Sequence, residues 1–125
     1  MKKVLHTSEA PAAIGSYSQA IQAGNTIYLS GQIPLDPQTM KLVEGDFRTQ
    51  VTRVFDNLQA VTIAAGGSLD NVVRLTVYLM NLADTAIVND VMLLYFKQPF
   101  PARTTFQVAA LPKDAAVEID AIMVI

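Results

Sequence analysis

The sequence predicts a single α+β domain in which two helices cover one face of a mixed β-sheet. The chain has 125 residues, the usual length of one domain, and neither a linker nor a repeat divides it, so residues 1–125 are expected to form one unit. Two stretches show the hydrophobic period of a helix, and shorter stretches around them alternate as strands do. The predicted order is strand, strand, helix, strand, helix, strand, strand. Strand–helix–strand crossovers tend to place both helices on one face of the sheet.

The first two predicted strands, residues 18–23 and 26–31, form a hairpin. Between them lies Gly24-Asn25, a pair of residues suited to the positive φ angles of a tight turn. The segment from Pro34 to Pro37 then interrupts the strand pattern, so a loop is expected to begin there.

Two helices are predicted after this loop. The first covers residues 46–65, where apolar residues recur at every third or fourth position: Phe47, Val51, Val54, Leu58, Val61 and Ala65. The second begins after Asp84, a residue type that caps helix N-termini, and ends near Lys97. Pro99 and Pro101 prevent it from continuing.

Three further strands are predicted at residues 72–80, 103–110 and 116–125. One face of the first of these carries Val73, Leu75, Val77 and Leu79. The segment from Leu111 to Asp114 has the composition of a turn, so the last two strands are expected to pair antiparallel.

The second face of the sheet would have no covering helix. It would carry apolar residues such as Met80, Ile122 and Val124, which rarely lie open to water in a contiguous patch. A cyclic oligomer that buries this face is therefore expected.

The composition excludes several classes of protein. The absence of Cys excludes a disulfide scaffold and a Cys nucleophile, and the position of the one histidine, His6, near the N-terminus disfavours a catalytic triad or a metal site. The net charge is −2, without the basic stripe of a nucleic-acid-binding surface. No signal-peptide core follows Lys2 and Lys3, and no apolar run is long enough to span a membrane. We expect a cytoplasmic protein without nucleic-acid or membrane partners.

Arg103 is the first candidate for chemistry, because it opens a strand directly after a proline-marked bend. Its guanidinium could bind a carboxylate through two parallel N–H bonds, with the hydroxyl of Thr105 on the same face of the strand. Phe106 and Val108 would lie on the opposite side, in the core. A structural ion pair or a solvated side chain remains the alternative for the arginine.

Glu118 and Asp120 form a second candidate, because they share one face of an otherwise apolar strand. A carboxylate in such a place can have a raised pKa and act as a general base toward water. The alternative is a strand with one wet face near its start.

A few other residues could complete a pocket. The backbone at Ser30-Gly31 could approach a ligand closely, Tyr17 could cover a small pocket, and Asn89 could donate a hydrogen bond to a ligand. The alternatives are a glycine that ends a strand, a half-buried aromatic and a solvated helix residue.

Four segments of the chain resemble the RidA family of reactive intermediate deaminases, also called YjgF-like proteins. They are Ala10 to Tyr17, Ser30-Gly31-Gln32-Ile33-Pro34, Pro101-Ala102-Arg103-Thr104, and Leu111 to Ile119. The resemblance extends over essentially the whole chain. It implies a chorismate-mutase-like α+β subunit and a homotrimer with a site in each cleft between neighbouring subunits.

The resemblance also implies an activity. This is the hydrolysis of short 2-imino acids, such as 2-iminopropanoate and 2-iminobutanoate, to 2-keto acids and ammonia, which protects pyridoxal-phosphate enzymes and uses no metal or organic cofactor. A protein that binds 2-keto acids and regulates a partner, without turnover, is the alternative function.

Site residues follow from the resemblance position by position. Arg103 matches the arginine that binds the substrate carboxylate, and Glu118 matches the carboxylate that positions and activates water. The family positions that line the pocket correspond in this chain to Tyr17, Ser30, Gly31 and Asn89. Thr105 stands where many members have Cys, and its hydroxyl can hydrogen-bond but is a poorer nucleophile, which argues against a covalent role at this position.

Overall fold

The chain folds into one six-stranded mixed sheet and two α-helices, which confirms the predicted α+β class. The computed structural model describes all residues, 1–125. The elements in chain order are β1 Lys2–Leu5, β2 Ala20–Ala23, β3 Thr26–Gln32, α1 Phe47–Ala64, β4 Val72–Leu79, α2 Thr85–Tyr95, β5 Ala102–Gln107 and β6 Val117–Val124. The strand order across the sheet is β1-β2-β3-β6-β4-β5. Only β4 and β5 pair in parallel, and all other neighbouring strands are antiparallel.

The first strand, β1, was not predicted from the sequence. It pairs antiparallel with β2, from Lys2 opposite Ala23 to Leu5 opposite Ala20. Only Leu5 of its four residues is buried, so the strand lacks the alternation of apolar and polar residues that identifies a half-buried strand. The predicted hairpin of β2 and β3 is confirmed, and Gly24 in its turn has a φ of 61°.

The prediction that the last two strands pair with each other is wrong. The β4–α2–β5 crossover returns β5 parallel to β4 at the edge of the sheet, as such connections favour. Strand β6 instead lies between β3 and β4 and is antiparallel to both. Four of its eight residues are buried, which fits a central position: Val117, Ile119, Ala121 and Met123.

Phe106, which was predicted to lie in the core, and Val73, which was predicted to share a strand face with Leu75, are both exposed. The register of β4 against β6 shifts between Val72 and Arg74, so Val72 is buried and Val73 is 48% exposed. Phe106 is 40% exposed, because the pairing of β5 with β4 turns it to the face without helices, where its ring lies 5.1 Å from that of Tyr78. Val108 lies just beyond β5 and is only half-buried.

Both helices form close to their predicted positions and cover one face of the sheet. The Asp46 carboxylate caps α1 by accepting a hydrogen bond from the Thr49 backbone N–H at 2.9 Å. The predicted apolar stripe of α1 is buried in the core, with only Phe47 partly exposed. Asp84 precedes α2 without a side-chain capping bond, because it belongs to a 3₁₀ turn, Leu82–Asp84, that Asn81 caps instead. Neither helix has the length and hydrophobicity needed to cross a membrane.

The opposite face of the sheet, which we call the open face, carries exposed apolar side chains as predicted. They are Tyr28, Met80, Phe106 and Val124, with Ile122 half-buried among them. The hydrophobic core lies between the two helices and the face of the sheet that they cover.

Candidate active site

A cavity of about 600 Å³ opens where the end of β3, the loop of residues 6–19 and the turn before β6 meet. Four of the predicted site residues line it: Tyr17, Ser30, Gly31 and Glu118. Glu118 lies near the start of β6, on the strand face that carries Asp120 and Ile122. Ser30 is fixed by two hydrogen bonds: its N–H donates to Gln19 O at 2.9 Å and its hydroxyl to Ser18 O at 2.6 Å.

Gly31 lies directly against the carboxylate of Glu118. A Cβ built on Gly31 would overlap Glu118 Oε2 and would lie 2.9 Å from Glu118 Cδ. Any side chain at position 31 would therefore displace the carboxylate, which gives a steric reason for glycine here. The sequence predicted that a ligand could approach the backbone at this glycine; within the subunit the group that lies there is the Glu118 carboxylate, and the ligand contact stays a prediction.

The surroundings of Glu118 favour its protonated form. Partial burial raises the pKa of the carboxyl group, and the negative charge of Asp120 on the same strand face raises it further. Asp120 is itself held in place, because its Oδ2 accepts a hydrogen bond from the Tyr78 hydroxyl at 2.8 Å. Burial raises the pKa of Tyr78, with a further contribution from this hydrogen bond. A carboxyl group with a raised pKa is a stronger base once it is ionised.

Arg103 lies on the face of the sheet that the helices cover, whereas Glu118 lies on the open face. It is opposite Leu75 in the β4–β5 register, on the side that faces the helices. Its Nη1 donates to Met92 Sδ on α2 at 3.2 Å, and no carboxylate of the chain forms an ion pair with it. The structural ion pair that the sequence left open is therefore absent, and the guanidinium keeps unused donors. A shallow cavity of about 320 Å³ is lined by Arg103, Asn89, Met92, Leu93 and Phe100 among others.

Thr105 follows Arg103 on the same face of β5, opposite Val77. Its hydroxyl oxygen is buried and has no hydrogen-bond partner within the chain. Buried hydroxyl groups are nearly always hydrogen-bonded, so this unpaired oxygen is an exception within the chain.

The predicted site residues thus form two separate groups within one subunit. One group consists of Tyr17, Ser30, Gly31 and Glu118 at the larger cavity, and the other of Asn89, Arg103 and Thr105 on the opposite face of the sheet. The guanidinium and the carboxylate that were predicted to act together are not brought together by the fold of a single chain. No three His, Asp or Glu side chains lie close enough to hold a metal ion.

Sequence reasoning missed Gln19, which lines the larger cavity and is 3% exposed. Its side-chain amide bonds to the backbone of the loop of residues 6–19. The sequence feature that could have identified it is a polar residue directly before the apolar pair Ala20-Ile21. Such a residue is expected to be buried, and a buried amide needs several hydrogen-bond partners.

Comparison with known proteins connects this arrangement to one family. The family described as endoribonuclease L-PSP matches residues 7–125. A RutC family protein of Pyrococcus horikoshii is 48% identical over 98% of this chain and 97% of its own. A protein of Dermatophagoides farinae named 2-iminobutanoate/2-iminopropanoate deaminase is 46% identical over 99% of this chain and 97% of its own.

Solved structures agree with the sequence relatives. The crystal structure of RidA from the Antarctic bacterium Psychrobacter sp. PAMC 21119 is 50% identical, covers 98% of this chain and 99% of its own, and has a TM-score of 0.95. The fold, the family match over nearly the whole chain and these relatives lead to one conclusion: the chain belongs to the endoribonuclease L-PSP family, the family of the RidA and YjgF proteins.

Proposed function

We propose that the protein is a 2-iminobutanoate/2-iminopropanoate deaminase, which hydrolyses short 2-imino acids to 2-keto acids and ammonia. The single observation that carries the proposal is the Glu118 carboxyl group, which has a raised pKa and lies against the Gly31 backbone at the wall of a cavity. The relative of this name at 46% identity supports the same substrate class. Such an activity would act in the cytoplasm and remove imines before they damage pyridoxal-phosphate enzymes.

We further propose that the working unit is a homotrimer whose sites lie between subunits. Two features support this. Arg103 and Glu118 lie on opposite faces of the sheet in one chain, so a substrate that touches both needs a second copy. The open face also carries exposed apolar side chains that a neighbouring copy would bury.

In this arrangement the Arg103 guanidinium of one subunit binds the substrate carboxylate through two parallel N–H bonds. Thr105 lies two residues further along the same strand face, and its hydroxyl, which has no partner within the chain, rotates to donate a hydrogen bond to the same substrate. The neighbouring subunit provides Glu118, together with Tyr17 and the Ser30-Gly31 backbone as the walls of the pocket, and Asn89 lies beside Arg103. Holding the small anion in a fixed orientation supplies part of the rate acceleration.

The chemistry needs only water and proton transfer. Glu118 takes a proton from a water molecule while the water oxygen forms a bond to the imine carbon, and the C=N π electrons move to nitrogen, which is protonated. The proton that Glu118 took from water is the one that it gives to this nitrogen, which yields the neutral carbinolamine. Glu118 then carries the hydroxyl proton of the carbinolamine to the amine nitrogen, the C–N bond breaks with its electron pair going to nitrogen, and ammonia leaves as the C=O bond forms. The reaction is a hydrolysis without net oxidation or reduction, so the proposal includes no cofactor. General acid–base catalysis of this kind contributes roughly 10²–10⁴-fold.

A coupled assay tests the proposal. A pyridoxal-phosphate threonine dehydratase generates 2-iminobutanoate, and 2-ketobutanoate formation is followed with and without this protein at a pH where spontaneous hydrolysis is slow. Faster keto acid formation supports the deaminase. Tight 2-ketobutanoate binding without acceleration would contradict it and favour a regulatory binding protein, and cleavage of RNA in a parallel assay without imine turnover would favour the activity in the family's descriptive name. Sedimentation of the same sample tests the trimer, which a monomer at micromolar concentration would contradict.

A further inference from the structure

The loop between β1 and β2 forms one wall of the cavity that Glu118 lines. Pro11, Ala12, Ile14 and Tyr17 of this loop face that cavity. The loop contains no helix or strand, and the backbone of residues 7–17 makes no hydrogen bond to other backbone groups. Apart from the packing of Ala10 in the core, its conformation therefore depends on hydrogen bonds from side chains.

Gln19 makes four of the six side-chain hydrogen bonds to the backbone of residues 7–17. Its Oε1 accepts from Thr7 N at 2.7 Å. Its Nε2 donates to Thr7 O at 3.0 Å, to Pro11 O at 2.8 Å and to Ala10 O at 3.3 Å. The other two bonds span only two or three residues each, from Thr7 Oγ1 to Glu9 and from the Tyr17 hydroxyl to Ile14.

Gln19 also connects this wall to the wall opposite. Its backbone carbonyl accepts the N–H of Ser30, which precedes Gly31, at 2.9 Å. Its side chain is 3% exposed, and both its carbonyl and its amide group are engaged by the loop. Although Gln19 lines the cavity, it has little hydrogen-bonding capacity left for a ligand.

We propose that Gln19 is a positioning residue, whose side-chain amide holds the loop of residues 7–17 against the end of β3 and so fixes the width of the substrate cavity. The inference rests on the proposed function, because it assigns Gln19 a part in holding the binding wall for the imino acid. Gln19 does not take part in bond making or breaking, so its loss should affect substrate binding more than chemistry.

The test compares Gln19→Leu with Gln22→Leu in the full-length protein. Gln22 lies three residues further along the chain, in β2, but its amide bonds only to Gly24 O at 3.0 Å, which makes it a matched control. For Gln19→Leu we expect KM for 2-iminobutanoate to rise about ten-fold while kcat changes by less than about three-fold, because buried backbone groups of the loop lose their partners. Hydrogen exchange should become faster at the Thr7 amide, whose N–H donates to Gln19 Oε1, and stay unchanged in β4. Gln22→Leu should match the wild type in all three measurements.

A second variant covers the case in which Gln19→Leu does not fold. Gln19→Asn keeps the donor and the acceptor but is one methylene shorter, so it should show the same pattern to a smaller degree. Unchanged exchange at the Thr7 amide, or a KM within two-fold of wild type, would overturn the inference. Because exchange is measured without substrate, it tests the role of Gln19 even if the wild-type protein shows no imine turnover, a result that would refute the proposed function alone.

Discussion

The carboxylate of Glu118 occupies the space that a side chain at Gly31 would fill. This contact joins β3 to β6 at the cavity, and it makes the position of the proposed base depend on a residue that has no side chain.

Gly31→Ala should therefore impair catalysis without unfolding the protein. The new methyl group meets the flexible end of Glu118 and not the backbone, so the carboxylate can move away. A displacement of about 1 Å is enough to lower kcat/KM by on the order of 10²-fold. Steady-state kinetics and thermal unfolding measure the two effects.

Gly24→Ala is the matched control for this prediction. Nothing lies within 4 Å of a Cβ at that position, but the φ of 61° disfavours alanine. This variant should lose about 1–2 kcal/mol of stability and keep its activity. Full activity in Gly31→Ala would show that the position of Glu118 is not critical.

Arg103→Ala should nearly abolish turnover and leave the fold intact. Within the chain the guanidinium contacts only the Met92 sulfur through a hydrogen bond, so its removal disrupts no ion pair. Leaving the substrate carboxylate unpaired should cost roughly 2–5 kcal/mol of transition-state stabilisation. Assays of kcat/KM together with circular dichroism separate these effects.

Arg48→Ala provides the comparison, because Arg48 forms only an exposed pair with Asp90 at 3.4 Å. Its activity should equal that of the wild type. If Arg103→Ala retained most of its activity, Arg103 would have no part in substrate binding.

Asp120→Asn should move the acidic limb of the pH–rate profile to lower pH. The charge of Asp120 raises the pKa of Glu118, and Glu118 acts as a base only when it is ionised. Removing the charge lets Glu118 ionise at lower pH, so kcat/KM should reach its plateau earlier as pH rises. Tyr78→Phe removes the hydrogen bond to Asp120 but keeps the charge, and its limb should not move to lower pH. An unchanged limb in Asp120→Asn would mean that another group controls the rate.

Much of the fold could be predicted from local patterns, and most of the errors concern long-range pairing. The helix α1 and the hairpin of β2 and β3 depend on periodicity and turn residues that are close in sequence. The insertion of β6 between β3 and β4 depends on contacts between distant segments. The prediction that Phe106 lies in the core is wrong for a related reason, because a strand position acquires its surroundings from its neighbours, and the pairing of β5 with β4 places Phe106 on the open face.

The same holds for the candidate site: local sequence patterns identified several of its residues, but their arrangement depends on contacts between distant segments. The resemblance named Arg103 and Glu118, and strand alternation placed Glu118 with Asp120 and Arg103 with Thr105. Predicting that Arg103 and Glu118 lie on opposite faces of the sheet would have required the actual strand order. Gln19 was missed because its importance lies in bonds to Thr7, Ala10 and Pro11, and a polar residue before Ala20-Ile21 does not by itself identify these partners.

Glu118→Gln should inactivate the protein and stabilise it at neutral pH. The pKa of Glu118 is raised above its ordinary value of 4.5 in the folded chain, so folding favours the protonated group. The wild type therefore has its full stability from this group below pH 4.5 and loses it as pH rises through the higher folded pKa. Glutamine has no charge to desolvate at any pH. Denaturant unfolding at one fixed protein concentration should give equal midpoints near pH 4 and a higher midpoint for the variant near pH 8.

Glu44→Gln, at an exposed loop position, should match the wild type at both pH values. A lower midpoint for Glu118→Gln at pH 8 would mean that the ionised carboxylate is stabilised by a partner, and the raised pKa on which the proposed base depends would be wrong.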